Sequence, residues 1–176
     1  GDCVRHDDGF AVTNGPTWAP TAQGPALFFN DTVQGLTYRY RFDAATGTLS
    51  HKTLWKRWAP ADGVPDGMTT DAQGRLWVAH WGGGCVTCHD ADSADELARI
   101  ALPVSQVTNC AFGGADLRAL YITSAATGLS PEQLATEPLA EPLPRDEEWE
   151  TIVRVALRPR SDLSVEQQQA AREEYG

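Results

Sequence analysis

The chain has 176 residues, with 14 Lys and Arg against 24 Asp and Glu, a formal net charge of -10 and a pI near 4.7. This charge repels polyanions, and the basic residues occur singly or in short pairs such as Lys56-Arg57, so no nucleic-acid partner is expected and small molecules or metal ions are the natural ligands. No apolar run approaches the roughly 18 to 20 residues that cross a bilayer, so no membrane partner is expected either.

A weak repeat occurs three times along the chain. Each copy has a polar residue followed by Gly or Cys, then a turn containing Gly, an apolar and aromatic run, and a closing polar residue. The copies begin at Asn14-Gly15, Asp66-Gly67 and Asn109-Cys110, which are 52 and 43 residues apart. This spacing is close to the roughly 40 to 50 residues of one four-stranded propeller blade. The sequence therefore predicts an all-β fold with about three blades.

Strands are also predicted between the copies. Leu36 to Phe42 alternates apolar and polar residues with period two, as a half-buried strand does, and its hairpin partner is expected after a turn at Asp43 to Gly47. Asp31, which ends the first apolar run, is expected to bind backbone amides inside its blade. Asp90 to Glu96 is dense in acids but lacks the glycine and glutamate spacing of a calcium loop, so it is predicted to be a solvated hairpin tip.

The character of the chain changes after about Leu129. Ser130 to Gln133 combines a cap residue, Pro at the first helical position and Gln at the capping-box position, which predicts a short helix. Beyond it we expect an acidic linker at Pro138 to Glu150, one strand at Thr151 to Arg158 and a polar helix at Ser164 to Tyr175. We accordingly divide the chain into a partial propeller at 1–135 and a tail at 136–176.

Five motifs together resemble one family, the senescence marker protein/regucalcin/gluconolactonase (sugar lactone lactonase) family. They occur in that family's order over roughly residues 9 to 135 and correspond to the later half of a typical member. The motifs are Thr13-Asn14-Gly15-Pro16, Val64-Pro65-Asp66-Gly67-Met68, Trp77-Val78-Ala79, Trp81-Gly82-Gly83-Gly84 and Thr108-Asn109-Cys110-Ala111-Phe112-Gly113-Gly114.

The resemblance implies a six-bladed β-propeller that binds one divalent cation at the mouth of its central channel and hydrolyses sugar lactones such as gluconolactone. It implies metal ligation by an N-terminal Glu, by an Asn that corresponds to Asn14 and by an Asp that corresponds to Asp66. The Glu, together with the Arg and Asn that contact substrate, belongs to earlier blades with no counterpart in these residues. A half propeller would expose open blade edges, so self-association is expected.

The carboxylate of Asp66 and the amide oxygen of Asn14 suit Ca²⁺, Mg²⁺, Mn²⁺ or a catalytic Zn²⁺. In the implied reaction Asp66 orients or deprotonates the attacking water. Asn109, His80 and Trp81 are predicted to contact the substrate. Each motif also has a structural interpretation: Asn-Gly and Pro-Asp-Gly are strong turn formers, Asn109 suits a cap or turn, and aromatic residues such as Trp81 pack between blades.

The string Cys85-Val86-Thr87-Cys88-His89 matches the attachment pattern of a c-type haem. A zinc or redox pair of cysteines and an ordinary strand are the alternatives, and the position after a Gly-rich turn favours the strand. The number of cysteines, four, is too small for a disulfide scaffold and favours a reducing cytoplasm.

Three hypotheses follow for the function. The first is a divalent-metal-dependent sugar lactone hydrolase, or the C-terminal half of one. The second is a catalytically inactive propeller fragment that binds a divalent metal or a partner. The third is a c-type haem electron carrier, which depends on the Cys85 to His89 string alone.

Overall fold

In a computed structural model of the chain, the structure describes residues 3–137, Ala140 and the strand at 151–156. Three antiparallel sheets contain nearly all the regular structure. The first sheet is formed in chain order by β1 Thr13–Thr21, β2 Gly24–Asp31, β3 Leu36–Asp43 and β4 Thr48–Arg57. The second is formed in the same way by β5 Val64–Thr70, β6 Leu76–Trp81, β7 Cys85–His89 and β8 Glu96–Ala101. The third contains β9 Val107–Gly113, β10 Ala119–Ser124 and β11 Thr151–Ala156.

Each predicted repeat corresponds to one sheet. The repeat starts lie in β1, β5 and β9, and β5 packs against both of the other two. The predicted hairpin of Leu36 to Phe42 is confirmed as β3 and β4. The order of the strands and the side-by-side first strands are those of successive propeller blades, so the prediction of an all-β partial propeller is confirmed.

The short elements agree with the sequence where the structure describes them. A 3₁₀ turn at Pro60–Asp62 precedes β5. The helix α1, Pro131–Thr136, has the predicted capping box with Ser130. The tail strand is confirmed over Thr151–Ala156, where it pairs with β10. Residues 157 and 158, the linker at 138–150 apart from Ala140, and the helix predicted at Ser164 to Tyr175 lie outside the described residues.

Two apolar clusters fill the spaces between the sheets. Strand alternation turns Ala26 and Phe28 of β2 toward the second sheet, where Phe28 is fully buried and packs edge-on against Trp55 at 5.3 Å between ring centroids. The cluster between the second and third sheets contains ten buried residues: Trp77, Ala79, Val86, Cys88, Val104, Val107, Cys110, Leu120, Ile122 and Ala140. Burial of these side chains drives the sheets together.

The opposite face of the first sheet, which points away from the second, is rich in aromatic residues. Trp18 is 52% exposed on this face and contacts Phe42 at 6.0 Å between ring centroids. Part of the face is covered by the N-terminal segment, because Phe10 packs edge-on against Phe29 at 5.0 Å. Apolar surface therefore remains open beside the covered part.

The hairpin tip at Asp90 to Glu96 is confirmed as the connection between β7 and β8. The carboxylate of Asp90 accepts hydrogen bonds from the backbone N–H groups of Asp92 and Ser93 at 2.9 and 2.8 Å. The prediction for Asp31 is also confirmed: it is 3% exposed and accepts from the backbone amides of Ala11 and Val12 at 3.4 Å each.

Candidate metal and substrate site

Each of the three first strands breaks its pairing at the repeat motif. The register between β1 and β2 shifts between Asn14 and Thr17, and that between β5 and β6 shifts between Pro65 and Met68. The register between β9 and β10 shifts beside Asn109. Such bulges re-aim side chains away from the regular alternation of a strand and are common next to active sites.

Two glycines bring the three motifs into contact. A Cβ placed on Gly15, whose φ is +53°, would lie 2.6 Å from the carbonyl oxygen of Asp66. A Cβ placed on Gly67 would collide with the side chain of Asn109. Only glycine permits these approaches of one bulge to the next. The structure therefore places Asn14, Asp66 and Asn109 in adjoining irregular stretches of β1, β5 and β9, which we call the bulge loops of the three sheets.

The candidate metal ligands Asn14 and Asp66 and the candidate substrate residue Asn109 are partly accessible. Asn14 and Asp66 are half-buried, and Asn109 is exposed. The amide nitrogen of Asn14 donates to the hydroxyl of Thr32 at 3.1 Å, which directs the other end of the amide, its oxygen, away from Thr32. The side-chain oxygen of Asn109 accepts from the backbone N–H of Cys110 at 2.8 Å.

His80 pairs through its backbone with Pro65, the residue before Asp66. It is fully buried inside the second sheet, where Nε2 shares a hydrogen bond of 2.7 Å with the hydroxyl of Thr87. The ring of Trp58 packs edge-on against it at 4.7 Å. Burial lowers the pKa of His80 to about 4, which keeps the ring neutral near pH 7. The ring of His80 is thus bonded to Thr87 in the interior of the second sheet, and its contact with substrate stays a prediction.

Trp81 is half-buried at the end of β6. Its backbone pairs with Val64, at the start of the strand that contains Asp66, and forms an isolated bridge with Gln106. It therefore lies next to the beginning of both β5 and β9. Its role toward substrate also stays a prediction.

The Cys85 to His89 string forms a regular strand, as the alternative interpretation predicted. All five side chains of β7 are buried, and residues three apart in a strand point to opposite faces, so Cys85 and Cys88 diverge. Cys85 Sγ accepts a hydrogen bond from Arg99 at 3.3 Å, and burial raises the pKa of Cys88 to about 11. This arrangement fits neither haem attachment nor a paired-cysteine metal site.

Sequence reasoning missed Asn30, a buried polar residue that contacts the backbone of Asp66. Asn30 is fully buried in β2, and its Nδ2 donates to the carbonyl oxygen of Asp66 at 2.6 Å. The available signal was a polar residue two positions after Phe28, on the strand face that points to the core.

The donor set fits a hard cation. Within residues 3–137, 140 and 151–156, no three His, Cys, Asp or Glu side chains are grouped so that they could hold a metal ion. What the adjoining loops offer is one carboxylate, that of Asp66, beside amide oxygens, which are ligands that Ca²⁺, Mg²⁺ and Mn²⁺ accept.

In the part of the chain that the structure describes, no helix has the length and apolar character needed to span a membrane.

Comparison with known proteins gives consistent matches. The family model described as SMP-30/Gluconolactonase/LRE-like region matches residues 1–126. Regucalcin of Danio rerio is 36% identical over 137 residues, which are 78% of this chain and 46% of the relative. A pentonolactonase of Haloferax volcanii is 40% identical over 125 residues, which are 71% of this chain and 42% of the relative. The chain thus spans about half the length of the curated relatives it matches.

Solved structures agree with the fold. A luciferin-regenerating enzyme superposes with a TM-score of 0.70 at 27% identity, over 86% of this chain and 47% of the other. A regucalcin of Agrobacterium tumefaciens, described as a calcium-binding protein, gives a TM-score of 0.68 at 28% identity, over 85% and 48%. The motifs, the three blades and these matches agree, and the chain belongs to the SMP-30/gluconolactonase/LRE-like family.

Proposed function

We propose that this chain contributes to a divalent-metal-dependent hydrolase that opens a sugar lactone to the aldonic acid, with Asn14 and Asp66 among the metal ligands. The observation that carries this proposal is the contact between the Asn14-Gly15 and Asp66-Gly67 bulges. Because of that contact, a carboxylate and an amide belong to adjoining bulge loops of β1 and β5, the first strands of neighbouring blades.

The relatives support a lactone as the substrate class. One of them is a pentonolactonase, and a solved relative from Xanthomonas campestris, 26% identical with a TM-score of 0.52 over 66% of this chain and 36% of the other, is described as a gluconolactonase. The Agrobacterium tumefaciens relative is described as calcium-binding. Calcium is therefore the first cation to test, followed by Mn²⁺, Mg²⁺ and Zn²⁺.

The cation and the residues around it would have different roles in lactone hydrolysis. A bound divalent cation would polarise the lactone carbonyl as a Lewis acid. Asp66 orients a water molecule and accepts its proton as the water oxygen attacks the carbonyl carbon; the ring C–O bond then breaks, and that proton goes to the leaving alkoxide. Asn109 and Trp81 line the approach to this site. An ester of this kind needs no covalent intermediate, because an activated water and stabilisation of the oxyanion are sufficient.

The open aromatic face of the first sheet supports a second candidate, the binding of a partner. Trp18 is 52% exposed on that face, and a second copy of the chain is the partner that we propose. In that case the chain need not turn over substrate by itself.

We also propose a reducing cytoplasm as its location, since Cys85, Cys88 and Cys110 are buried as free thiols.

Hydrolysis of an aldono-δ-lactone, followed by acid release, tests the enzyme proposal. We expect activity that a chelator abolishes, that Ca²⁺ or Mn²⁺ restores, and that Asp66→Asn lowers by about 100-fold or more, as expected for loss of a general base. Asp43→Asn is the matched control, because Asp43 is exposed at a hairpin turn. Its side chain accepts a hydrogen bond from the backbone N–H of Ala45, and an Asn side chain can accept the same bond. Equal turnover by Asp66→Asn and wild type would contradict the assignment. A folded, metal-binding and inert wild type would favour the second candidate.

A further inference from the structure

We infer that Asn30 is a positioning residue for the metal site and that a buried hydrogen-bond relay from Trp58 through Thr37 to Asn30 fixes the loop of Asp66. The inference deepens the proposed function and depends on it for the role of Asp66. It concerns residues that none of the five family motifs contains.

The relay crosses from the first sheet to the second. Trp58 Nε1 donates to the hydroxyl of Thr37 at 2.9 Å, Thr37 donates to Asn30 Oδ1 at 2.6 Å, and Asn30 Nδ2 donates to the Asp66 carbonyl oxygen at 2.6 Å. Asn30 and Thr37 are fully buried, and Trp58 is 6% exposed. Water therefore does not compete for these bonds, and each polar group depends on its neighbour.

The direction of every bond in the relay is determined by chemistry. The indole N–H of Trp58 can only donate, so Thr37 must accept there and has its single hydroxyl proton left for Asn30. The carbonyl oxygen of Asp66 can only accept, so the Asn30 atom that contacts it is Nδ2, and Oδ1 accepts the proton of Thr37. The orientation of the amide is therefore fixed by the Asp66 carbonyl, and the donor at Trp58 agrees with it.

The Asn30 amide contacts both candidate ligand loops. Besides its bond to Asp66, Nδ2 lies 2.9 Å from the position that a Cβ on Gly15 would occupy, and the backbone of Asn30 pairs with Asn14. The bulge leaves Asp66 outside the regular register of β5 and β6. The relay thus supplies a hydrogen bond that holds this irregular backbone. Displacements of about 1 Å in such a site can reduce turnover 100-fold.

The test compares isosteric variants in calcium titrations by calorimetry, with Ca²⁺ itself as the probe. Thr37→Val removes both relay bonds at nearly constant volume, and we expect the Kd for Ca²⁺ to rise about tenfold. Thr37→Ser keeps the hydroxyl and should stay within about twofold of wild type. Leu120→Ala removes core volume in the cluster between the second and third sheets, which contains no residue of the relay; it should lower stability and leave the Kd unchanged. Asn30→Leu is the stronger variant and should raise the Kd further if it folds.

A second readout is independent of metal binding. In the metal-free protein, Thr37→Val should increase amide hydrogen exchange at Gly67 and Met68 about tenfold, and Val86 in β7 should exchange at the wild-type rate. Folded Thr37→Val with wild-type Kd and wild-type exchange would overturn the relay. If Asp66→Asn leaves calcium binding unchanged, the metal site itself is wrong, and the exchange experiment alone then decides whether the relay holds the loop.

Discussion

Two motifs of the second sheet differ in the surroundings of their side chains. Val64 to Met68 and Cys85 to His89 each contain five residues, and each includes side chains that ligate metals. The first contains a bulge whose loop touches the loops of both neighbouring sheets. The second is a regular strand with every side chain buried. The comparison shows that bulges in neighbouring blades can bring their polar side chains close together. A regular strand instead directs its side chains alternately to two opposite faces.

The largest expected effect is a loss of folding stability at low pH, which comes from His80 and from His89 of the regular strand. Burial lowers the pKa of both His80 and His89 to about 4, and both rings bond the hydroxyl of Thr87 at 2.7 and 2.8 Å. The unfolded chain, with a pKa near 6.5, binds more protons between about pH 4 and 6.5, so the free energy of unfolding falls as the pH drops through this window. From pH 7 to 5 we expect a loss of about 2 kcal/mol for each histidine.

Urea denaturation at the two pH values measures this loss. A His80→Gln, His89→Gln double variant should lose much less stability over the same interval, and His51→Gln, at an exposed position, should behave as wild type. A double variant that kept the full pH dependence would show that these two rings are not its source.

The next effect concerns the bulges. Gly15→Ala forces a side chain into a left-handed conformation and against the Asp66 backbone, so we expect the free energy of unfolding to fall by about 3 kcal/mol. Gly47→Ala is the control, because Gly47 has a φ of +69° with no described atom within 4 Å of the added Cβ; it should cost only about 1 kcal/mol. Equal costs in chemical denaturation would contradict the close approach of the two loops.

The smallest expected effect is the reaction of the buried cysteine thiols with a thiol reagent. Cys85, Cys88 and Cys110 are buried, and burial raises the pKa of Cys88 to about 11 and that of Cys110 to about 12, so their thiolates are scarce near neutral pH. A thiol reagent such as Ellman's reagent should modify Cys3 alone in the native protein and all four cysteines after denaturation. Rapid modification of two or more thiols in the folded chain would show that β7 or β9 is more accessible than the burial of its cysteines indicates.

The sequence predicted the fold well because the signals are local. Period-two alternation in Leu36 to Phe42 specifies a strand, the repeat starts at Asn14, Asp66 and Asn109 specify three blades, and the Ser130 capping box specifies α1. These depend on neighbouring residues, whose geometry the pattern of apolar and turn residues largely determines.

The site was only partly predictable because its contacts are long-range. The proximity of Asn14 to Asp66 was expected only from the family resemblance. Asn30 went unnoticed because its partner is a backbone carbonyl 36 positions away, which no local pattern encodes. His80 ends an apolar run, and the sequence did not indicate that its ring bonds Thr87 in the blade interior.

Paramagnetic broadening of backbone amide resonances by Mn²⁺ tests the central claim most directly, because it locates a bound cation without requiring turnover. We expect substoichiometric Mn²⁺ to broaden Gly15 and Gly67 first, Asn109 next and the more distant His89 later, and Asp66→Asn to remove the effect. Broadening centred on β7 or on the Asp90 to Glu96 tip would contradict a metal site formed by the bulges of β1, β5 and β9. Broadening that is as strong in Asp66→Asn as in the wild type would contradict it as well.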